Sequence, residues 1–332
     1  MHTRLLNYRQ PSESFFVILI MAMAVFFRFY HLDALVAVPH ALIGVFTVYA
    51  VYVLTRELFN WKIAGIAGFL LAVSAWHTAF SRSVSPDIWG PFLFVTGIYF
   101  LWIGLKHLNY FYFVLAGLAL GAEFYVSPSL RLMPIAIVLT AAAYWWSVEK
   151  DFHHEKHEYA KNQLIHRLIV CVLVIVVVGI LGLSGRSVFN DETAKALSGR
   201  ALIYWPIAVI FAIGFIKSLI KMVKMLGSHG HFSSVHVLLL AWLFVGGAPI
   251  LLFKASPASY IILAPVISIL AAEGLWWLFE KLDGWYGVLD LHEFSFVHKR
   301  VSEHAIVSAI VIFIFLGALS FAEYARYFKD WL

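Results

Sequence analysis

Eight residues carry side chains able to grip an anion or move a proton, and each lies where a long apolar run ends: Arg28, His77, Arg82, Asp87, Glu123, Tyr125, Arg131 and Lys254. Arginine takes phosphate oxygens through a planar fork of N–H donors, and lysine takes them as a point charge. Asp87 is the acidic candidate for a general base or metal ligand. A charge at membrane depth costs about 3 kcal/mol or more unless it is paired or hydrated. Together these residues predict a polar pocket for an anionic head group. Each also has a plainer reading. An arginine snorkels to head groups or pairs with a neighbour. Glu123 serves equally well as a buried structural partner. Asp87, after Pro86, can simply start a helix, where aspartate is favoured.

A second string, "DFHHEKHE", sets His153 and His157 four apart, with Glu155 and Glu158 close by. Two histidines at that spacing share a helical face and can bind zinc. A solvated helix is the preferred reading, because no paired His/Cys module occurs elsewhere. The chain has no glycine-rich phosphate loop, nucleophile elbow or CxxC pair.

The elements that position these groups must be membrane helices. Of 332 residues, 62% are hydrophobic and 13% charged, with mean hydropathy +0.85. Soluble domains average about 25% charged residues. Lipid cannot satisfy free backbone groups, so spans must be helical. Runs of about 20 apolar residues predict about eleven spans: 14–32, 36–58, 63–80, 88–105, 109–126, 131–148, 168–184, 201–223, 235–253, 258–279 and 304–322. The expected fold is an all-α polytopic membrane helical bundle, one domain over 1–332, with a His-rich inner loop at 149–167. A second inner loop falls at 280–303. With the N-terminus inside and the C-terminus outside, 15 of the 24 Lys and Arg fall on the inner side, as the positive-inside rule prefers. The basic residues form no stripe, so the net charge of +5 points to membrane topology and not to nucleic acid. The one cysteine, Cys171, sits in an apolar run and forms no intrachain disulfide. The first run lacks a small-residue cleavage site and reads as a retained span.

At these residues the chain resembles a family. "VPHALIGVFTVYAVYVLTRELFNWKIAGIAGFLLAVSAWHTAFSRSVSPD", "GLALGAEFYVSPSLRLMP", "SYIILAPVISILAAEGLWWL" and "YARYFKDW" are similar, in order, to segments of polyprenyl-phosphate-sugar-dependent glycosyltransferases. These are membrane enzymes of the protein-mannosyltransferase and aminoarabinose-transferase type, with the C-type glycosyltransferase fold. The resemblance implies transfer of a sugar from a polyprenyl phosphate carrier to an acceptor outside the membrane. A carboxylate would act as base on the acceptor, and a divalent metal ion or basic side chains would stabilise the phosphate leaving group. It assigns Arg28 to the end of the first span, His77, Arg82 and Asp87 to an outer turn, and Tyr125 and Arg131 to a later one. The expected location is integral to a prokaryotic cell (inner) membrane.

The chain departs from the family in four places, one of them a shortened outer loop at 185–200. The long first outer loop with its acidic pair is replaced by "FRFYHLD" running into "AVPHALIG", so Asp33 does not stand for that pair. Ser259 stands where an arginine is usual. The sequence also stops where many members continue into a soluble domain. These departures predict either a transferase with impaired catalysis, with Asp87 as its remaining acid, or a non-catalytic lipid-phosphate-binding or accessory membrane subunit. A transporter is the third reading, disfavoured because transporters place charges near the midplane.

Overall fold

In the computed structural model, residues 11–32, 35–126, 133–140, 156–183, 200–227, 233–253, 257–289 and 303–331 are described. Among them there are helices and turns and no strand. The helices are α1 (Pro11–Phe29), α2 (Val38–Leu58), α3 (Trp61–Val73), α4 (Ala75–Arg82), α5 (Trp89–His107), α6 (Tyr110–Ala122), α7 (Lys156–Leu183), α8 (Trp205–Gly227), α9 (Ser233–Phe253), α10 (Leu263–Leu289) and α11 (Glu303–Ala325). A helical stretch also covers 133–140. Short 3-10 turns precede α2, α5 and α10 and follow α6. A π-helical turn, Arg326–Trp331, continues α11.

The apolar runs therefore become helices close to where the sequence puts them, with three differences. By length and composition five of the described helices can cross a membrane, or six if α3 and α4 count as one, against the eleven expected. The expected inner loops are partly helical, because α7 starts at Lys156 and α10 runs to Leu289. The run at 63–80 is not one helix: α3 and α4 meet at a 57° bend.

Local chemistry sets the tight turns. The Asn60 side chain accepts the N–H groups of Lys62 and Ile63, both at 3.0 Å, and caps α3. Asn109 does the same for α6 through Phe111 N–H at 2.9 Å, directly after Leu108 ends α5 in the left-handed region. Burial ranks the helices. The apolar window of α10 is 83% buried, whereas those of α8 and α11 are 22% buried. So α10 is the central post, and α8 and α11 present most of their surface outward. α8 approaches α10 through Gly214 and Gly274, where a methyl on either would overlap a main-chain carbonyl of the other helix, that of Leu270 or Ile210. Small residues let membrane helices approach this closely.

Candidate functional site at the α3–α4 break

Nothing in "LLAVSAWHTAF" forbids a straight helix: it contains no proline or glycine. Ser74 nevertheless leaves helical geometry, with φ −56° and ψ 118°. A break exposes carbonyls at the end of α3 and N–H groups at the start of α4. Two distant side chains satisfy them. Arg28, from α1, is fully buried. Its Nη1 donates to Ala72 O at 3.0 Å and Ala24 O at 3.1 Å, and its Nη2 donates to Leu71 O at 3.4 Å. Glu323, from α11, is 1% exposed and accepts the Ala75 N–H at 3.0 Å. The cation sits at the carbonyl end of α3 and the anion at the N–H end of α4, the signs that helix dipoles favour.

The rest of the network builds on these two groups. Arg28 Nη2 lies 2.6 Å from His77 Nδ1. A guanidinium only donates, so this contact assigns the acceptor to Nδ1 and the ring proton to Nε2. Neither His77 Nε2 nor Arg28 Nε has an acceptor among the described residues. α2 must pass close beside Arg28, and Gly44 permits it. A Cβ there would stand 2.7 Å from Arg28 Nε and 2.5 Å from Ser81 Cβ. Arg82, at the end of α4, turns back to α1. It donates to Tyr30 O at 2.5 Å, His31 O at 2.6 Å and Arg28 O at 3.4 Å. Its guanidinium lies 5.6 Å from the Tyr327 ring centroid and 5.2 Å from that of Phe328, within cation–π range. Arg326 pairs with Glu323 at 3.3 Å and donates to Ala201 O, a carbonyl that also accepts Trp76 Nε1 at 2.9 Å.

Beside the break lies a narrow crevice of about 20 Å³, room for about one water. Leu70, Leu202, Ile203, Ile207, Ala264 and Ile267 form its apolar wall, and Ser74, Ser268 and Glu323 supply the polar groups.

The eight sequence-selected residues are distributed unevenly. Arg28, His77 and Arg82 join one network, in which the guanidiniums bond main-chain carbonyls. Asp87 stands just past α4, where Ser85 Oγ donates to its Oδ2 at 2.9 Å. Glu123, on the 3-10 turn after α6, is 1% exposed, and its Oε1 has no partner among the described residues. Tyr125, on the same turn, is exposed. Arg131 and Lys254 lie outside the described residues, as do Asp33, His153 and Glu155. None of the eight lines the crevice. Among the described residues no three His, Cys, Asp or Glu side chains gather to hold a metal, so the implied divalent ion has no ligand set there. Sequence reading missed Glu323 and Arg326. Their signal was a glutamate inside an apolar run, three residues before an arginine.

Comparison with known proteins agrees with this architecture. Two solved structures of the Archaeoglobus fulgidus oligosaccharyltransferase share the fold. One is tethered to an acceptor peptide containing the NVT sequon, with TM-score 0.56, 16% identity, and coverage of 93% of this chain and 46% of that one. The other, archaeal AglB in complex with an inhibitory peptide and a dolichol-phosphate, gives TM-score 0.53, 15% identity, and coverage of 86% and 45%. The chain thus spans less than half the length of these solved relatives. No curated protein matches in sequence. Residues 14–181, half of the chain, match the model of the dolichyl-phosphate-mannose-protein mannosyltransferase family, so the chain belongs to that family of membrane glycosyltransferases.

Proposed function

We propose that the protein transfers a sugar from a polyprenyl phosphate carrier to an acceptor on the outer face of a prokaryotic cell membrane, with its N-terminus inside. The observation that supports this best is the match of residues 14–181 to the mannosyltransferase family. One solved relative of the same fold is in complex with a dolichol-phosphate, which favours the same lipid class here. In this reading Arg28 and His77 are positioning residues that hold the break. Arg82, Arg131, Lys254 and Tyr125 contact the lipid phosphate or sugar, Glu123 contacts sugar hydroxyls, and Asp87 is the base. Basic side chains or a divalent metal ion stabilise the phosphate leaving group.

A second reading, a non-catalytic lipid-phosphate-binding subunit, is favoured by one observation: both acids near the break already bond protein groups, Asp87 to Ser85 and Glu323 to Ala75 and Arg326. The experiment incubates purified protein with a polyprenyl-phosphate sugar and candidate acceptors, comparing wild type, Asp87→Asn and Arg82→Ala. Turnover lost in Asp87→Asn supports the transferase. Lipid bound without turnover by wild type supports the subunit. Failure of the wild type to bind polyprenyl phosphate removes both readings.

A further inference from the structure

Toward the α2–α3 turn, a second charged cluster lies outside the site above. Glu273, on α10, is fully buried. Its Oε2 accepts from Ser218 Oγ at 3.0 Å, and its Oε1 lies 3.1 Å from Lys221 Nζ and 3.5 Å from Lys217 Nζ. The Ser218 hydroxyl has one proton, which goes to Glu273. The oxygen therefore accepts from His236 Nδ1, 3.1 Å away. This direction rules out a serine activated by histidine and fixes the carboxylate among α8, α9 and α10.

Two ammonium groups thus share one carboxylate oxygen. Among the described residues Glu273 is the one carboxylate within ion-pair distance of either lysine, so one positive charge is left over. An ammonium has three donors, and the Lys221 side chain is 43% exposed. On a helix turning about 100° per residue, Lys217, Lys221 and Lys224 fall within an arc of about 60°. Gly214 and Ser218 face α10 on one side of that stripe. On the other side are Ile220, Ile216 and Val223, which are 49%, 55% and 56% exposed and lie on a helix long and apolar enough to span. The lysines therefore stand on the seam between the protein interior and the lipid-facing surface.

We propose that Lys217 and Lys221 form a binding site for the phosphate of an anionic phospholipid whose acyl chains lie along Ile216, Ile220 and Val223. The surplus charge supplies the complement to the phosphate. The apolar flank supplies the chains, which commits the site to a lipid rather than to free phosphate. Basic pockets at helix seams hold lipid head groups in this way. The site depends neither on the crevice nor on the transferase reading.

The experiment uses the full chain in detergent. Phosphatidylglycerol or phosphatidylcholine is titrated in, and bound lipid is read by native mass spectrometry and by the thermal midpoint. We expect phosphatidylglycerol to give a one-to-one adduct and raise the midpoint by several degrees. Phosphatidylcholine should do neither. Lys217→Gln/Lys221→Gln should lower adduct occupancy at least fivefold, while Lys106→Gln, a control outside the cluster, should leave it unchanged. Glu273→Gln keeps an oxygen for Ser218 and removes the competing charge, so it should tighten phosphatidylglycerol binding at least threefold, a gain that poor folding cannot imitate. Equal retention of the two lipids, wild-type retention by the double variant, no tightening in Glu273→Gln, or displacement by millimolar inorganic phosphate would each overturn the proposal.

Discussion

At the α3–α4 break, buried charges bond chiefly the main chain, with Glu323 also pairing Arg326; in the Glu273 cluster, side chains bond one another. Arg28 reaches three carbonyls and a histidine, and Glu323 takes a main-chain N–H. Glu273 takes two lysines and a serine. The difference teaches what each charge is for. A side chain bonded to carbonyls that lost their helical partners holds a backbone shape, here a bend beside a crevice. A side chain bonded to another side chain joins helices, and its charge can be cancelled from either partner.

The strongest expected break of this comparison is Glu273→Leu. It strands Ser218 and the 21%-exposed Lys217 beside an apolar side chain and leaves the 43%-exposed Lys221 unpaired, so the cost is about 3 kcal/mol, the low end for breaking a buried pair. The check is the thermal midpoint for loss of monodisperse protein in detergent. Replacing the lysines with glutamine as well should restore much of the loss, because both signs are then gone. If the triple variant is no more stable than Glu273→Leu, the charges are not coupled and the contrast fails.

Arg28→Met should cost about 2–3 kcal/mol, because the Leu71 and Ala72 carbonyls lose their donors in a buried place. Glu323→Leu does not rescue it, since the two side chains bond different ends of the break and not each other. Arg28→Lys should recover only part of the loss, because an ammonium cannot present the planar fork. A double variant more stable than Arg28→Met would mean that the two charges oppose each other directly. Arg82→Ala should cost less, about 1–2 kcal/mol, because part of its hydrogen bonding is exposed.

Much of this contrast could be read from the chain, and the limits are physical. Apolar runs placed most helix ends to within a few residues, but not the charged inner extensions of α7 and α10, which hydropathy leaves out. Arg28, His77 and Arg82 were expected to line an anion pocket; in the structure they share a network whose guanidiniums bond main-chain carbonyls. The bend at Ser74 was invisible, because no local residue causes it. Its donors and acceptors come from Arg28, more than forty residues earlier, and from Glu323, about 250 residues later. Glu273 stood in plain view in "LAAEGL", and Lys217 and Lys221 are four apart. Only the close passage of Gly214 against Gly274 brings these three together.

The weakest effect sharpens the comparison from its control side. Lys106 and Glu57 pair at 2.8 Å near the same turns as the Glu273 cluster, with side chains 44% and 25% exposed. An exposed pair gains little over water and pays entropy to hold two long side chains together. Lys106→Gln should therefore lower stability by less than about 1 kcal/mol, and half-molar salt should erase the difference, because exposed charges are screened over a few ångströms at that strength. The Glu273→Leu loss should be reduced less by the same salt, since the carboxylate is buried and Lys217 is 21% exposed, although Lys221 is 43% exposed. If salt erased both losses equally, burial would not separate the two pairs, and the distinction between a charge that joins helices and one that only decorates their ends would have to go.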